Sequence, residues 1–170
     1  MDGRRFVVLA TCLVVCLAAP CPADEYDVLM DFFNSTGGGS WKQSRNWGNR
    51  AVDCGSWDGL DADYTTGKVV NMYLSGNGLT GTIPSSLSKL TSLSRFEVAG
   101  NSLRGAVPDV STWTSLQFLK LELNYLTTFD KGISQPPALT LCDMSNNTFA
   151  CPLPLWAQGE PPFGCGAVCT

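Results

Sequence analysis

The 170-residue sequence contains no histidine, and only 15% of its residues are charged. Without histidine, the chain can build neither a serine–histidine triad nor an imidazole general base. It also lacks a phosphate-binding loop and the kinase signatures. Basic residues are fewer than acidic ones, 11 against 15, and nucleic-acid binding calls for a basic face. We therefore predict a protein that is not an enzyme, uses no cofactor or metal and binds no nucleic acid.

The sequence also lacks an apolar run long enough to span a bilayer, which takes about 20 residues. Its longest run, from Phe6 to Ala19, follows two arginines and precedes Pro20-Cys21-Pro22-Ala23. This order is typical of a secretory signal peptide. We predict that residues 1–23 are removed, with cleavage after Ala19 and an uncleaved anchor as alternatives. The mature chain would carry nine basic and 14 acidic residues, a net charge of −5, with no transmembrane segment and a secreted or cell-surface location.

Three of the eight cysteines lie within the predicted signal peptide. The five that remain are Cys54, Cys142, Cys151, Cys165 and Cys169. An oxidising compartment favours pairing, but the sequence does not determine which cysteines pair. We expect Cys165 and Cys169 to staple the tail back to Cys151, one thiol to stay free or to bond another chain, and Cys142 to be a small buried hydrophobe. Zinc is the disfavoured alternative, because histidine is absent and secretion favours disulfides.

An internal repeat organises the rest of the sequence. Four segments match L-x-x-L-x-L-x-x-N-x-L, with apolar substitutions at the leucine positions, and their asparagines are spaced by 24, 23 and 23 residues: Asn77, Asn101, Asn124 and Asn147. Each unit predicts a short strand with alternate side chains buried, and successive strands stack into a parallel sheet. Each asparagine is expected to bond the backbone groups of the turn inside the apolar interior, so that the four form a ladder.

The first two units continue as Gly81-Thr82-Ile83-Pro84 and Gly105-Ala106-Val107-Pro108. With this extension the sequence resembles the plant-type leucine-rich-repeat family, which includes receptor-kinase ectodomains and polygalacturonase-inhibiting proteins and is similar to protist surface antigens. The resemblance implies an α/β fold, a right-handed solenoid of about four repeats with a parallel β-sheet on its concave face. The third unit lacks Gly-x-Ile-Pro, so the pattern does not predict its convex side. The predicted parts are the signal peptide 1–23, an N-terminal cap 24–68, repeats 69–149 and a C-terminal cysteine-containing cap 150–170.

The predicted N-terminal cap begins with a helix, because residues 25–34 place apolar side chains on one helical face. Three tryptophans follow, spaced as in the aromatic cap of the family: Trp41, Trp47 and Trp57. We expect them to pack the cap, with a sugar-stacking site as the alternative. The resemblance also implies a disulfide from Cys54 to a cysteine near residues 61–62. No cysteine stands there, so we expect that disulfide to be missing.

The concave face is predicted to bind the partner, through side chains that point outward from the strands. These candidates are Asn71, Tyr73, Arg95, Glu97, Phe118, Lys120, Leu141 and Asp143. Among them, Glu97, Lys120 and Asp143 are expected to lie side by side as a charge ladder, which either contributes to binding or modestly stabilises the sheet. Phe118 and Leu141, with Leu123, form an apolar patch that is either a contact surface or covered by the C-terminal cap.

These features predict a non-catalytic recognition module that binds a protein or a glycan, with the oligomeric state left open. Two alternatives are a structural coat, matrix or surface-antigen protein, joined between chains through a cysteine such as Cys54, and the truncated ectodomain of a membrane-anchored receptor. Two sequons could accept glycans, at Asn34 and Asn146. A glycan on Asn146 would be expected to obstruct the apolar patch.

Overall fold

A computed structural model describes residues 19–130, 134–159 and 164–170. Most of the predicted signal peptide lies outside these residues. The first helix among these residues is α1 (Ala23–Ser35). Eight strands follow within the described ranges: β1 (Leu60–Ala62), β2 (Val69–Tyr73), β3 (Thr80–Thr82), β4 (Arg95–Glu97), β5 (Ser102–Val107), β6 (Phe118–Lys120), β7 (Tyr125–Phe129) and β8 (Leu141–Asp143).

The first sheet has the strand order β1-β2-β4-β6-β8 and presents the concave face, by which we mean its outward surface. Strands β2, β4, β6 and β8 are parallel, one from each repeat. The predicted leucine-rich-repeat solenoid with a parallel sheet is therefore confirmed. Strand β1 was not predicted: it pairs antiparallel with β2, and the hairpin turn contains Gly67 at a φ of +71°.

The four repeat asparagines are buried inside the stack. Asn124 shows the pattern: its Nδ2 donates to the carbonyls of Val98, at 3.0 Å, and Leu121, at 3.1 Å, while its Oδ1 accepts the N–H of Leu103. Asn101 and Asn147 make the equivalent bonds, each to one carbonyl of its own repeat and to one carbonyl and one N–H of the preceding repeat. The first member, Asn77, instead exchanges two bonds with the backbone of Gln43 in the N-terminal cap. These bonds satisfy backbone groups that burial would otherwise leave unpaired.

A second parallel sheet, with the order β3-β5-β7, lies just after the asparagines. Thr80 pairs with Ser102, and Arg104 pairs with Tyr125. The third repeat contributes β7 (Tyr125–Phe129) although it lacks Gly-x-Ile-Pro, and its register against β5 shifts by one residue between Gly105 and Ala106. Between the two sheets lies a continuous core of repeat leucines with Val69, Met72, Phe96 and Trp113.

The N-terminal end of the core is closed by aromatic side chains. Helix α1 buries Val28, Leu29 and Phe32, and the ring of Phe32 contacts those of Trp41, Trp47 and Phe96. Trp41 and Trp57 are buried and Trp47 is half-buried. The tryptophans therefore pack the cap, and the sugar-stacking alternative is not supported.

The expectation that Cys54 lacks a cap disulfide is wrong. Cys21, which we assigned to the removed leader, forms a disulfide with Cys54. The pairing is possible because the segment before α1 folds back beside the β1 hairpin, where the N–H of Ala19 donates to the carbonyl of Tyr64. The cap disulfide thus exists, with its second cysteine upstream of Cys54 and not near residues 61–62. Cys54 is then not available to join two chains, which removes the cysteine on which the structural-coat alternative depended.

The C-terminal tail forms an irregular fifth rung, in register with the repeats. The N–H of Met144 donates to the carbonyl of Cys165, as the N–H of Leu121 does to Asp143 one repeat earlier. The N–H of Thr170 donates to Phe149, as that of Thr148 does to Leu126. Both correspondences place the tail 22 residues after the fourth repeat (165 against 143, and 170 against 148).

This register confirms one of the expected C-terminal bridges, from Cys169 to Cys151, and corrects the other. Cys165 bonds Cys142, and Cys169 bonds Cys151. The expected bridge from Cys151 to Cys165 does not form, because the fifth rung places Cys165 against β8, which contains Cys142, and Cys169 beside Phe149. Cys142 is buried as expected, but it is a disulfide partner and not a free thiol.

Candidate functional site

The eight candidate residues lie on the concave face in two straight rows, because the strands are paired without a shift. One row is Asn71, Arg95, Phe118 and Leu141, and the other is Tyr73, Glu97, Lys120 and Asp143. Tyr73 is the most exposed of them, at 43%, and the other seven are half-buried. The rows therefore offer a surface on which a partner could contact several rungs at once.

Arg95 lies at the centre of this surface. Its Nη1 forms an ion pair with Glu97 Oε1 at 2.8 Å, two residues along the same strand. Its guanidinium carbon lies 3.8 Å from the ring centroid of Phe118 and 5.8 Å from that of Tyr73. A guanidinium over an aromatic face is attracted by the ring quadrupole. Arg95 thus bridges the two aromatic side chains, and one face of Phe118 is covered by it.

Strand β1 adds an acidic side chain that the repeat pattern could not reveal. Asp61 Oδ2 accepts a hydrogen bond from Asn71 Nδ2 at 3.0 Å. Burial raises the pKa of Tyr73, and the negative charges of Asp61 and Glu97 raise it further, against the opposing effect of Arg95. A hydrogen bond to the Asp61 carboxylate contributes to the rise, so Tyr73 keeps its phenolic proton at neutral pH and shares it with Asp61.

Glu97, Lys120 and Asp143 lie side by side in one row, as predicted, but no ion pair joins them among the described residues. Lys120 takes part in none of the ion pairs within 4.0 Å that the described residues form, and Glu97 pairs with Arg95 instead. The Oδ1 of Asp143 accepts the N–H of Ser145 at 2.9 Å. Lys120 is therefore a cation that a ligand could engage.

Glu122, two residues beyond Lys120 along the chain, was missed by the sequence analysis. One of its carboxylate oxygens, Oε2, is buried, and no hydrogen-bond partner for it occurs within the described part of the chain. Burial raises its pKa, the charges of Asp143 and Glu97 add to the rise, and Lys120 opposes it. The residue directly follows the core position of Leu121, beyond the end of β6. No signal in the sequence distinguishes it from other polar turn residues.

The three residues of the predicted apolar patch lie in different surroundings. Phe118 lies beneath Arg95, and Leu141 borders a cavity of about 50 Å³ that it shares with Trp156 and Gly164 of the C-terminal cap. The cap thus reaches Leu141 without enclosing it. Leu123 is different: it lies beyond the end of β6 and is 57% exposed.

A second small cavity, of about 80 Å³, opens beside Tyr73. It is lined by Lys42 and Gln43 of the N-terminal cap and by Asp58, Gly59 and Ser75–Asn77. The Nζ of Lys42 donates to the carbonyl of Gly76 at 2.7 Å. The cap therefore borders the concave face at one end, as the tail does at the other. Within residues 19–130, 134–159 and 164–170, no helix has the length and apolar character needed to cross a membrane.

Comparisons with known proteins match this description. The family model for the leucine-rich repeat matches residues 68–90. A receptor protein kinase from Oryza sativa, WSS1, is 33% identical over 113 residues, which are 65% of this chain and 12% of that protein. Receptor-like protein 47 from Arabidopsis thaliana is 33% identical over 121 residues, 62% of this chain and 15% of the relative. The chain thus spans less than a sixth of the length of these curated relatives.

Among solved structures, the Arabidopsis receptor kinase HAESA, in complex with the peptide hormone IDA and the co-receptor SERK1, superposes with a TM-score of 0.64 at 24% identity. The superposition covers 76% of this chain and 22% of that one. The stacked rungs and the asparagine ladder define a leucine-rich-repeat protein. The chain carries leucine-rich repeats of the plant type and is similar to plant receptor kinases and receptor-like proteins.

Proposed function

We propose that the chain is an exported, non-catalytic recognition module that binds a protein or peptide along the concave face. The observation that carries the proposal is the in-register row of Arg95, Phe118 and Leu141 beside exposed Tyr73. Aromatic and arginine side chains dominate the binding free energy of protein interfaces. The name of the HAESA complex records a peptide hormone and a co-receptor as its partners, which supports a peptide or protein over a glycan.

The decisive variants are Tyr73→Ala and Phe118→Ala. A partner captured by the wild-type chain from its own extracellular fluid is purified, and its affinity for each variant is measured by calorimetry. Removal of a central aromatic anchor is expected to weaken binding by at least about tenfold, since such anchors contribute about 2 kcal/mol or more.

Tyr125→Ala is the matched control. Tyr125 is a similarly exposed tyrosine, at 53%, but it lies on β7 of the second sheet. Its removal should leave the affinity unchanged. Unaltered binding by both concave-face variants, or an equal loss with Tyr125→Ala, would refute the assignment of the face. A captured oligosaccharide that shows the same pattern would instead establish the glycan alternative.

Export is tested separately, by N-terminal sequencing of the protein recovered outside the cell. Three disulfides among the described residues fit an oxidising compartment. Because Cys21 pairs with Cys54, we place the leader cleavage before Cys21 and not after Ala23. A mature chain that begins at Asp24 would contradict this revised boundary.

A further inference from the structure

The second sequon lies on the turn after β8, outside the strands of the concave face. Asn146 and Thr148 are both exposed, and they flank the buried ladder residue Asn147. Asn146 Nδ2 makes a long hydrogen bond, of 3.4 Å, to Ser145 Oγ. The ladder uses the amide of Asn147, so a modification of Asn146 leaves the ladder intact.

The neighbouring rung presents two exposed apolar side chains in the same register. The N–H of Leu123 donates to the carbonyl of Ser145 at 3.1 Å, and the N–H of Thr148 donates to that of Leu126 at 3.0 Å. Leu123 therefore lies beside Asn146, and Tyr125 lies beside Thr148. Their exposed fractions are 57% and 53%.

The backbone makes the presence of Leu123 unusual. The equivalent residue is left-handed in all four repeats, with φ of +64° at Gly76, +63° at Gly100, +58° at Leu123 and +54° at Asn146. Glycine adopts this conformation freely and asparagine tolerates it, whereas leucine is strained there. A Cβ at Gly76 would meet nothing within 4 Å, so side chains at this position project into open space. A strained and exposed leucine is expected where the side chain contacts something outside the polypeptide.

We infer that Asn146 carries an N-linked glycan whose first N-acetylglucosamine packs on Leu123 and Tyr125. In the glycosylation reaction, the Asn146 amide nitrogen loses a proton and bonds to the anomeric carbon of a lipid-linked oligosaccharide. The bond from that carbon to the lipid diphosphate breaks, and the diphosphate departs as the leaving group. The methyl group and the apolar face of the sugar then cover Leu123 and the tyrosine ring. The glycan extends along the turn side, so it does not block the strands of the concave face.

The inference depends on the export proposed above, but not on a ligand of the concave face. The full chain with its own leader is expressed in a eukaryotic host, and the exported protein is treated with a peptide N-glycosidase that converts a glycosylated asparagine to aspartate. Peptide mass spectrometry is expected to find the conversion at residue 146, and Asn146→Gln should remove it. An exported chain without sugar at residue 146 overturns this inference alone. A chain that is neither exported nor glycosylated overturns the export proposal as well.

Packing is tested by the effect of the glycan on thermal stability. Enzymatic removal of the Asn146 glycan is expected to lower the Tm of the wild-type chain by about 2–4 °C. Leu123→Gly removes one of the two apolar side chains and relieves the backbone strain, so deglycosylation should lower the Tm of this variant clearly less than that of the wild-type chain. Tyr125→Ala removes the other apolar side chain and should likewise show a smaller decrease in Tm. All comparisons are made in an Asn34→Gln background, so that the other sequon does not contribute. Equal losses in the wild-type chain and both variants would show that the sugar does not pack there.

Discussion

The two ends of the solenoid close the same core by different means. At the N-terminal end, helix α1 and three tryptophans bury a cluster of rings, with one disulfide beside it. At the C-terminal end, the tail 164–170 forms a fifth rung and is held by two disulfides. A short tail offers little apolar area, so covalent links replace the stabilisation that burial contributes at the other end.

The largest expected effect is at the aromatic end. Trp57 is 1% exposed and packs against Tyr26 and Trp47. Trp57→Ala should therefore lower the free energy of unfolding by about 3–5 kcal/mol, measured by urea denaturation. The matched variant is Trp156→Ala in the C-terminal cap, where the ring is only partly buried and the loss should be smaller. Equal losses would contradict closure of the N-terminal end by burial.

The next largest expected effect is the loss of the Cys142–Cys165 disulfide at the C-terminal end. Replacing Cys142 and Cys165 together by alanine should cost about 2–4 kcal/mol and release the tail. Hydrogen exchange would show this release at the Met144 amide, which donates to Cys165.

The corresponding double variant at Cys21 and Cys54 is the comparison. It removes a cross-link of similar type, but the ring cluster still holds α1, so the amides of α1 should stay protected. If α1 exchanges as fast as the tail does, the two ends do not differ in the way described.

The repeat period predicted the fold and the two rows of the concave face, because a slip of one residue would turn every buried leucine outward. The second sheet was not predictable in this way: Thr80–Thr82 is short, exposed and contains glycine. The pairing of Cys21 was missed because the residue adjoins an apolar run that resembles a leader. The stacking of Arg95 and the burial of Glu122 depend on side-chain conformations in three dimensions, which no spacing in the sequence encodes.

A smaller effect compares the two ends of the asparagine ladder. Asn147→Ala removes bonds to the carbonyls of Leu121 and Met144 and to the N–H of Leu126. Asn77→Ala removes two bonds to the backbone of Gln43, an exposed residue of the N-terminal cap. Since each unsatisfied buried group costs about 1–3 kcal/mol, Asn147→Ala should be the more destabilising change. Thermal unfolding of both variants decides the order, and a greater loss at Asn77 would reverse it.

The smallest effect concerns the pH dependence of the N-terminal end. Glu25 is buried in α1, and its Oε2 accepts the N–H of Val69 at 2.7 Å. Burial raises the pKa of Glu25 above 4.5, and the hydrogen bond from Val69 only partly opposes the rise. A raised pKa in the folded state means that the stability due to the protonated carboxyl is present below pH 4.5 and is lost as the pH rises through the folded-state pKa.

Glu25→Gln keeps an oxygen for Val69 and cannot ionise. The wild-type chain should therefore lose stability relative to this variant as the pH rises from 4.5 towards neutrality, when both are unfolded by urea across that range. Glu25→Ala is the control, because it leaves the Val69 N–H without its acceptor and should be the less stable variant throughout. A difference between the wild-type chain and Glu25→Gln that does not change with pH would show that the carboxyl titrates alike in the folded and unfolded chain. The N-terminal closure would then depend on its aromatic rings and its disulfide, with no contribution from this charge.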